Sequence, residues 1–340
     1  MIRYAVELGR ALAAFDDIEL HVLARPEAAE SLGAILGLPS HQMHVLQGNV
    51  LSASVRQRAG SLEIVNQVDV VHGTKHLVPR RTSGVRLLTV HDLLPLDRPR
   101  DFGVLKRALL PRAYLASIRD ADVLVCVSEA TRRRLVAHVP HAAHRATVVP
   151  LAVSSTLVTA PSEAMAEAPR GPFALVVGDA SPRKNLRFLT QIWPAVRARR
   201  PDLVLAVAGP AGWGVDDGLE ALDELVEVGA AVRLGHVRDE QLKWAYEQAA
   251  IVLCPSRLEG FGLPALEAVT FGAPVVSSPD PALAEASRGR ARVVALDDPL
   301  GWVEAIVTAV KAGRQDPDAH VRMWNDVARE TVAAVRGRRD

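Results

Sequence analysis

The chain has 340 residues, of which 49% are hydrophobic and 23% charged, and its 40 Lys and Arg residues face 39 Asp and Glu residues. At roughly 150 residues per domain, this length predicts two globular domains. The composition excludes an intrinsically disordered chain, and the net charge of +1 argues against a protein that coats a polyanion.

The first half of the chain alternates short apolar runs with stretches of helical periodicity. This rhythm predicts parallel strands joined by helices that cover both faces of a sheet. An amphipathic helix over residues 1–14 opens the chain without a strand before it. Further helices are predicted over Phe102–Arg119 and Glu129–His138, and strands over Ile18–Leu23, Met43–Leu46, Val68–His72, Arg86–His91, Val123–Ser128 and Thr147–Leu151.

Residues 154–171, rich in Ser, Ala, Thr, Pro and Glu, predict a linker between two domains. The same rhythm then restarts, so we expect an α/β fold of two doubly wound Rossmann-like domains that face each other across a cleft. The second domain has a predicted helix over Leu186–Arg199 and predicted strands over Phe173–Val177, Leu203–Ala208, Val232–Leu234, Ile251–Cys254, Pro274–Ser277 and Val293–Ala295.

The segment from Glu259 to Glu267 follows a predicted strand and contains a tight turn, Gly260-Phe261-Gly262, before Leu263 and a helix. Free amides at a helix start bind anions, and glycines allow a ligand to approach the backbone closely. We place Glu267 in the first helical turn, so that both carboxylates reach the hydroxyls of one ligand. The alternative is an ordinary strand–loop–helix connection with a capping carboxylate.

Arg183 and Lys184 follow the first strand of the second domain, at the start of a helix. A guanidinium fork next to an ammonium group suits a diphosphate. The alternative is a solvated basic helix start, which the helix dipole disfavours.

His91 ends a strand of the first domain, where its imidazole would project into the predicted cleft and could donate or accept a hydrogen bond. The alternative is a purely structural histidine. The chain has no convincing metal-ligand spacing and no nucleophile elbow, and aromatic residues make up only 4%. We therefore expect no metal and no nucleic-acid partner.

The composition also bears on location. No apolar stretch is long enough for a membrane span, no signal-peptide pattern is present, and both cysteines lie in apolar runs, so the chain is expected to be cytoplasmic. Residues 1–160 carry 19 basic and 14 acidic residues, whereas residues 161–340 carry 21 and 25. The excess of basic over acidic residues in the first half favours peripheral contact with the inner face of a membrane. The alternative is a solvated face of mixed charge.

The sequence resembles the retaining glycosyltransferase family 4, whose members have the GT-B fold. Glu259 to Glu267 reproduces the Glu-x7-Glu motif of the family, Ser181-Pro-Arg-Lys-Asn-Leu is similar to its donor-phosphate loop, and Thr89-Val-His-Asp-Leu to its His-Asp strand end. The resemblance implies an N-terminal acceptor-side domain over residues 1–153 and a nucleotide-sugar-binding domain over residues 172–313. It also implies that a helix within residues 314–340 returns to the first domain.

The resemblance implies a metal-independent enzyme with no cofactor that takes a nucleotide-diphosphate sugar as its co-substrate. Arg183 and Lys184 would neutralise the diphosphate, Glu267 would hold the ribose, and the backbone around Gly235 and Val237 would meet the base. His91 and Glu259 would be the catalytic residues that contact the transferred sugar. The remaining donor-binding residues would be Gly260, Phe261, Gly262 and Leu263.

The expected reaction is the retaining transfer of a hexose, with mannose from GDP-mannose as the preferred donor, to a saccharide or lipid-linked acceptor. Two alternatives stay open: a truncated, non-catalytic scaffold that binds nucleotide sugar, and a nucleotide-sugar 2-epimerase. The chain departs from the family pattern at Asp179, where many members have Arg, and at Leu151-Ala-Val-Ser154. It also begins inside the first helix, without the strand and Gly-rich loop with which members usually begin.

Overall fold

The computed structural model of the protein describes residues 2–48, 50–60, 62–210, 218–318 and 321–338. The chain divides into two compact units. Unit 1 comprises residues 1–96, 108–154 and 322–340, and unit 2 comprises residues 97–107 and 155–321.

Helices and strands alternate through the first half of the chain, as the apolar rhythm predicts. The helices are α1 (Ile2–Ala13), α2 (Pro26–Leu36), α3 (Val50–Ala59), α4 (Leu94–Asp97), α5 (Val104–Asp120) and α6 (Glu129–His138). The strands are β1 (Val22–Ala24), β2 (Met43–Val45), β3 (Val70–Gly73), β4 (Val85–Val90), β5 (Val123–Cys126) and β6 (Ala146–Val148).

The strands of unit 1 form two parallel sheets, although a doubly wound domain predicts one continuous sheet. Strands β3–β6 form a four-stranded sheet in sequence order, and β1 and β2 pair separately. The outer strands β1 and β2 have three residues each and are mostly half-buried, whereas all of β5 is buried. The core of the unit therefore lies around β4 and β5, where Leu88 and Leu124 are fully buried with Ile118 of α5.

The second half of the chain repeats the alternation of helices and strands. The helices are α7 (Ser155–Thr159), α8 (Leu186–Arg199), α9 (Leu219–Glu227), α10 (Asp239–Gln248), α11 (Leu263–Thr270), α12 (Pro281–Ala286), α13 (Pro299–Ala312) and α14 (Trp324–Arg336). The strands are β7 (Phe173–Val177), β8 (Val204–Ala208), β9 (Ala231–Gly235), β10 (Ile251–Cys254), β11 (Val275–Ser277) and β12 (Arg292–Val293).

Unit 2 contains one parallel six-stranded sheet with the order β12-β11-β10-β7-β8-β9. The chain adds β8 and β9 on one side of β7 and then returns to add β10 on the other side. The strand order thus reverses between β7 and β10. In open parallel sheets, ligands bind at such a switch point, beyond the carboxyl ends of the strands.

Helix α14 belongs to unit 1, where it packs on α1. Trp324 is 3% exposed, and its ring lies 5.8 Å from the ring of Tyr4 at a steep angle. The carboxyl-terminal segment from Arg322 onward is therefore part of the packing of unit 1, and it covers the side of α1 that carries Tyr4.

Two sequence predictions at element boundaries are wrong. Residues 154–171 contain helix α7, which packs on α10, so the predicted linker is partly folded. Ser128 was predicted as the end of a strand but caps α6, because its hydroxyl accepts a hydrogen bond of 2.9 Å from the amide of Thr131. Within the described residues, no helix combines the length and apolarity needed to cross a bilayer.

Replacing Trp324 with Ala is expected to lower the free energy of unfolding by about 3–5 kcal/mol, because it leaves a large cavity beside Tyr4. Urea denaturation monitored together with hydrogen exchange in α1 would measure this. Met323→Ala is the matched control, since Met323 is 48% exposed and one residue away. Equal losses in the two variants would contradict the packing role of Trp324.

Candidate functional site

Two loops meet at the switch point of unit 2. One follows β7 and runs from Gly178 to Asn185, and the other follows β10 and runs from Pro255 to Gly262. Since β7 and β10 are neighbours in register, their carboxyl ends bring these loops together. The two motifs singled out in the sequence therefore lie side by side, although 75 residues separate Lys184 from Glu259.

Backbone and side-chain hydrogen bonds fasten the two loops to each other. The amide of Arg257 donates to the carbonyl oxygen of Arg183 at 2.7 Å. Asn185 Nδ2 donates to the carbonyl oxygen of Pro255 at 3.2 Å, and Asn185 Oδ1 accepts from Arg257 Nε at 3.1 Å. Asn185 adopts a left-handed conformation with φ of 59°, which Asn tolerates better than most residues. These contacts give the loops a fixed mutual position before any ligand binds.

Both predicted cations converge on one carboxylate. Arg183 Nη1 lies 2.9 Å from Glu259 Oε2, and Lys184 Nζ lies 2.7 Å from Glu259 Oε1. The hydroxyl of Ser256 donates to Glu259 Oε1 at 2.7 Å. Glu259 is 6% exposed, so this cluster is a largely buried ion triad rather than a surface pair.

The electrostatics of the triad keep Glu259 ionised. Burial by itself would raise the pKa of Glu259, but the charges of Lys184 and Arg183 and the hydrogen bonds from Lys184 and Ser256 outweigh it and hold the pKa at about 2. Arg183 Nη2 also lies 3.9 Å from Asp179 Oδ1, so two carboxylates accompany the two cations.

Two glycines make room for this arrangement. Gly178 has φ of 139°, and a Cβ atom there would lie 3.0 Å from Lys184 Cε. Gly262 has φ of 100° and precedes the first residue of α11, and a Cβ atom there would lie 2.8 Å from Leu283 Cδ2. Larger residues would displace Lys184 at the first position and Leu283 of α12 at the second.

The prediction that Glu267 lies in the first helical turn is wrong. Helix α11 begins at Leu263, so Glu267 is its fifth residue and lies in the second turn. Its carboxylate is 3% exposed, and Glu267 Oε2 accepts a hydrogen bond of 2.6 Å from the hydroxyl of Tyr246. The positive φ of Gly262 sets the start of the helix one residue before Pro264, which moves Glu267 deeper than the sequence suggests.

The other predicted donor-binding residues lie around this cluster or beside it. Gly260, Phe261 and Gly262 are buried in the turn, and Leu263 is half-buried at the first position of α11. Gly235 ends β9, two strands away from β7, which corresponds to about 10 Å at the usual strand spacing. Val237 follows it, half-buried, before α10.

Several residues that support the cluster escaped the sequence analysis. Asp280 accepts a hydrogen bond from the amide of Glu259 at 3.2 Å and another from Ala282 at the start of α12. Ser256 and Tyr246 hold the two glutamates. No local pattern marks these residues, because their role depends on contacts between segments far apart in the sequence.

His91 lies in unit 1 and immediately follows β4. The strand ends at Val90, one residue earlier than predicted, so His91 is the first residue after it. Its Nε2 lies 3.0 Å from the carbonyl oxygen of Thr74, which can only accept, so Nε2 carries the proton. Burial lowers the pKa of His91 to about 4, so the ring is neutral at pH 7. Nδ1 then has a lone pair that can accept a hydrogen bond.

A buried network surrounds His91. The edge of the Tyr4 ring packs against it with centroids 4.6 Å apart. The Tyr4 hydroxyl lies 2.8 Å from Thr89 Oγ1, and His72 Nε2 lies 2.7 Å from the same oxygen. Burial also lowers the pKa of His72, to about 3. Tyr4 is thus in contact with His91 and is itself hydrogen-bonded to Thr89.

Metal-ligating side chains do not cluster in the part of the chain that the structure describes: no group of three His, Cys, Asp or Glu residues there is placed to hold an ion. Cys126 and Cys254 are buried thiols, and burial raises the pKa of each to about 12.

Comparison with known proteins identifies the family. Residues 1–157 match the family described as Glycosyltransferase Family 4, and residues 171–312 match Glycosyl transferases group 1. The O-antigen chain mannosyltransferase B of Escherichia coli is 30% identical over 273 residues, which cover 76% of this chain and 67% of that protein. The chain belongs to the family 4 glycosyltransferases. The resemblance seen in the sequence motifs is thereby confirmed, and this chain is a transferase.

Two further comparisons place this glycosyltransferase among its relatives. The serotype-specific mannosyltransferase WbdA of Escherichia coli is 25% identical over 288 residues, which cover 77% of this chain but 33% of that protein, so the chain spans about a third of its length. The solved structure of Anabaena HepE in complex with UDP and glucose has a TM-score of 0.63 at 15% identity, over 98% of this chain and 91% of that one. The fold of this glycosyltransferase is therefore the GT-B fold, with an α/β architecture of parallel sheets.

The Glu259→Gln variant of this glycosyltransferase tests the triad. At pH 7 we expect the free energy of unfolding of the variant to be about 3 kcal/mol lower than that of the wild type, because Arg183 and Lys184 lose their buried partner. A depressed carboxyl pKa contributes stability above the unfolded value of 4.5 and loses it as the pH falls towards about 2. The difference between the wild type and the variant should therefore shrink between pH 5 and pH 3.

Denaturant unfolding at a series of pH values measures this difference. Glu304→Gln is the control, because Glu304 also pairs with an arginine, Arg199, but is 53% exposed. It should change stability little at any pH. An unfolding free energy for Glu259→Gln that equals the wild type at pH 7 would refute the triad as a stabilising cluster.

The histidine network predicts a second pH effect. His91 and His72 are neutral in the folded state, whereas histidines of the unfolded chain bind protons near pH 6.5. The free energy of unfolding of unit 1 should therefore fall as the pH drops from about 6.5 towards 4.

¹⁵N imidazole NMR should show His91 as the Nε2-H tautomer at pH 7, with the midpoint of its titration near pH 4. A folded-state midpoint near 6.5 would show that His91 is not buried as described.

Proposed function

We propose that this glycosyltransferase transfers a hexose from a nucleotide-diphosphate sugar to a saccharide or lipid-linked acceptor, with mannose from GDP-mannose as the donor. The configuration at the anomeric carbon is retained. The observation that carries the proposal is the convergence of Arg183 and Lys184 on Glu259 at the switch point of unit 2. The names of the two Escherichia coli relatives, both mannosyltransferases, support the choice of mannose.

The cation pair suits the leaving group of such a reaction. When the bond between the anomeric carbon and the diphosphate breaks, negative charge grows on the diphosphate oxygens. Arg183 and Lys184 are already fixed by Glu259 and by the contacts between the two loops, so they need little reorganisation to stabilise that charge. The start of α11, capped by Gly262, adds its positive dipole end.

Glu259 has two roles in this proposal. Before the donor binds, its carboxylate holds the two cations in position. With the donor bound, the diphosphate shares these cations, and the carboxylate oxygens accept hydrogen bonds from hydroxyls of the transferred sugar. Glu267, held by Tyr246, accepts hydrogen bonds from the ribose in the same way.

The two cations also support a reaction without a divalent metal. Where Mg²⁺ serves glycosyl or phosphoryl transfer, it neutralises the diphosphate and holds it in place. Arg183 and Lys184 offer both functions from the protein itself. We therefore propose that no metal and no cofactor take part.

Retention follows if the acceptor attacks from the face that the diphosphate leaves. The bond between the anomeric carbon and the phosphate oxygen breaks, the acceptor oxygen forms its bond on the same face, and the acceptor proton passes to the leaving phosphate oxygen. His91, whose neutral Nδ1 is an acceptor, is proposed to contact a hydroxyl of the transferred sugar. A lipid-linked acceptor would also require contact with a membrane surface, which we propose for the segment 1–153.

A donor panel with and without EDTA tests the proposal. Labelled GDP-mannose should be consumed equally in both conditions, with a transfer product of the expected mass and an anomeric configuration, read by NMR, that matches the donor. Formation of only an epimerised sugar nucleotide would assign the chain to the 2-epimerases. Nucleotide binding without turnover on any donor would favour a non-catalytic scaffold.

Lys184→Ala should reduce kcat/KM for the donor by about 10²–10³-fold, because it removes one fixed positive charge from the developing diphosphate. Arg199→Ala is the control, since Arg199 lies in the last turn of the same helix region, α8, with an exposed partner. Circular dichroism would confirm that both variants fold. Wild-type turnover in Lys184→Ala would remove the basis for the proposed site.

A further inference from the structure

A second carboxylate stands beside the cation pair of unit 2. Asp179 follows Gly178 in the loop after β7, the same loop that carries Arg183 and Lys184. Arg183 Nη2 lies 3.9 Å from Asp179 Oδ1, while Arg183 Nη1 lies 2.9 Å from Glu259 Oε2. The guanidinium group therefore lies between two carboxylates, and the proposed diphosphate has to bind in the presence of both.

The chain holds the Asp179 side chain in place. The hydroxyl of Ser181, which is fully buried, donates a hydrogen bond of 2.8 Å to Asp179 Oδ1. The stem of Lys184 packs on the preceding residue, since a Cβ atom at Gly178 would lie 3.0 Å from Lys184 Cε. The negative charge of Asp179 is thus a fixed feature next to the cations.

The two carboxylates differ in their exposure to water. The side chain of Glu259 is 8% exposed and meets both cations at hydrogen-bond distance. The side chain of Asp179 is 25% exposed and lies at the longer distance from Arg183. A phosphate group that binds Arg183 from the solvent side therefore comes within the range of the Asp179 charge, where like charges repel each other.

We infer that Asp179 weakens the binding of nucleotides at this site, and that it weakens the product of the transfer more than the donor. The inference rests on the proposed function and deepens it, because it concerns the same diphosphate site. The diphosphate of a nucleotide sugar carries two negative charges. After transfer, the terminal phosphate is free, and it releases the acceptor proton to water above its second pKa of about 6, so the product carries three.

The repulsion from Asp179 therefore grows during the reaction. Each negative charge on the ligand is repelled by the fixed carboxylate, so the additional charge of the product adds to the repulsion. Arg183 and Lys184 supply the attraction that binds both nucleotides. Since release of product limits turnover in many enzymes, a carboxylate at this position shortens the time for which the product occupies the site.

A divalent cation shared by Asp179 and the diphosphate is the competing explanation. The geometry disfavours it, because the Arg183 guanidinium lies between Asp179 and Glu259 and, together with Lys184, repels a metal ion from that space. Across the part of the chain that the structure describes, no three His, Cys, Asp or Glu side chains are grouped to hold an ion.

Calorimetric binding of GDP-mannose and GDP to the full chain at pH 8, with EDTA present, tests the inference. Asp179→Asn removes the charge but keeps an oxygen that accepts from Ser181. We expect the Kd to fall about 5-fold for GDP-mannose and about 20-fold for GDP. High salt should reduce both gains, because it screens the repulsion. Unchanged or weaker binding of both nucleotides by the variant would overturn the inference.

Two control variants separate the charge of Asp179 from its shape. Asp179→Glu keeps the negative charge and should bind both nucleotides within about 2-fold of the wild type. Asp202→Asn should leave both Kd values unchanged, because Asp202 pairs with Arg200 just before β8, at the opposite end of the sheet. Equal gains in Asp179→Asn and Asp179→Glu would assign the effect to shape and would contradict the inference.

Further outcomes distinguish this inference from the proposed function. If no donor is turned over, tighter binding of GDP by Asp179→Asn still supports the role of Asp179, while the transferase proposal fails. Inorganic pyrophosphate, which has no base, repeats the comparison independently of the choice of nucleotide. Failure of all three ligands to bind the wild type and the variant would overturn the inference together with the donor site. Binding of GDP that Mg²⁺ strengthens in the wild type but not in Asp179→Asn would assign the carboxylate to a metal and also overturn it.

Discussion

A single buried carboxylate organises the chemistry of unit 2. Glu259 is surrounded by Arg183, Lys184 and Ser256, and the two cations lower its pKa against the effect of burial. Removing two positive charges from water is unfavourable unless a partner stands within hydrogen-bond distance. Glu259 meets that condition for both Arg183 and Lys184. The loops after β7 and β10 are therefore held together by buried ion pairs at the switch point of the sheet.

The position of this cluster follows from the order of the strands. Because β10 returns to pair with β7 on the side opposite β8, the loops after β7 and β10 meet although they are distant in sequence. Asn185 and Arg257 then fix one loop to the other.

Unit 1 uses the opposite electrostatic device. Instead of charges held by a partner, it contains two histidines, His72 and His91, which burial keeps neutral. Tyr4 and Thr89 fill the space between them, and Trp324 from the carboxyl-terminal helix covers Tyr4. A neutral imidazole with a defined tautomer suits contact with uncharged hydroxyls, just as the cation pair of unit 2 suits a diphosphate. A contact between the last helix, α14, and the first helix, α1, thereby helps to hold Tyr4 in place.

The sequence alone determined the alternation of strands and helices and the bounds of β7, α8 and β10. It also placed Arg183, Lys184 and Glu259 in the loops that follow β7 and β10. These features depend on local periodicity and on residue types, which are legible without tertiary contacts. Only the tertiary structure decided that Glu259 binds both cations, that Glu267 lies in the second turn of α11, and that Ser256, Tyr246 and Asp280 support the two glutamates. It also decided that β1 and β2 pair apart from β3–β6 and that α7 forms in the expected linker. Such features arise from contacts between distant segments, whose energy depends on burial and distance rather than on any pattern along the chain.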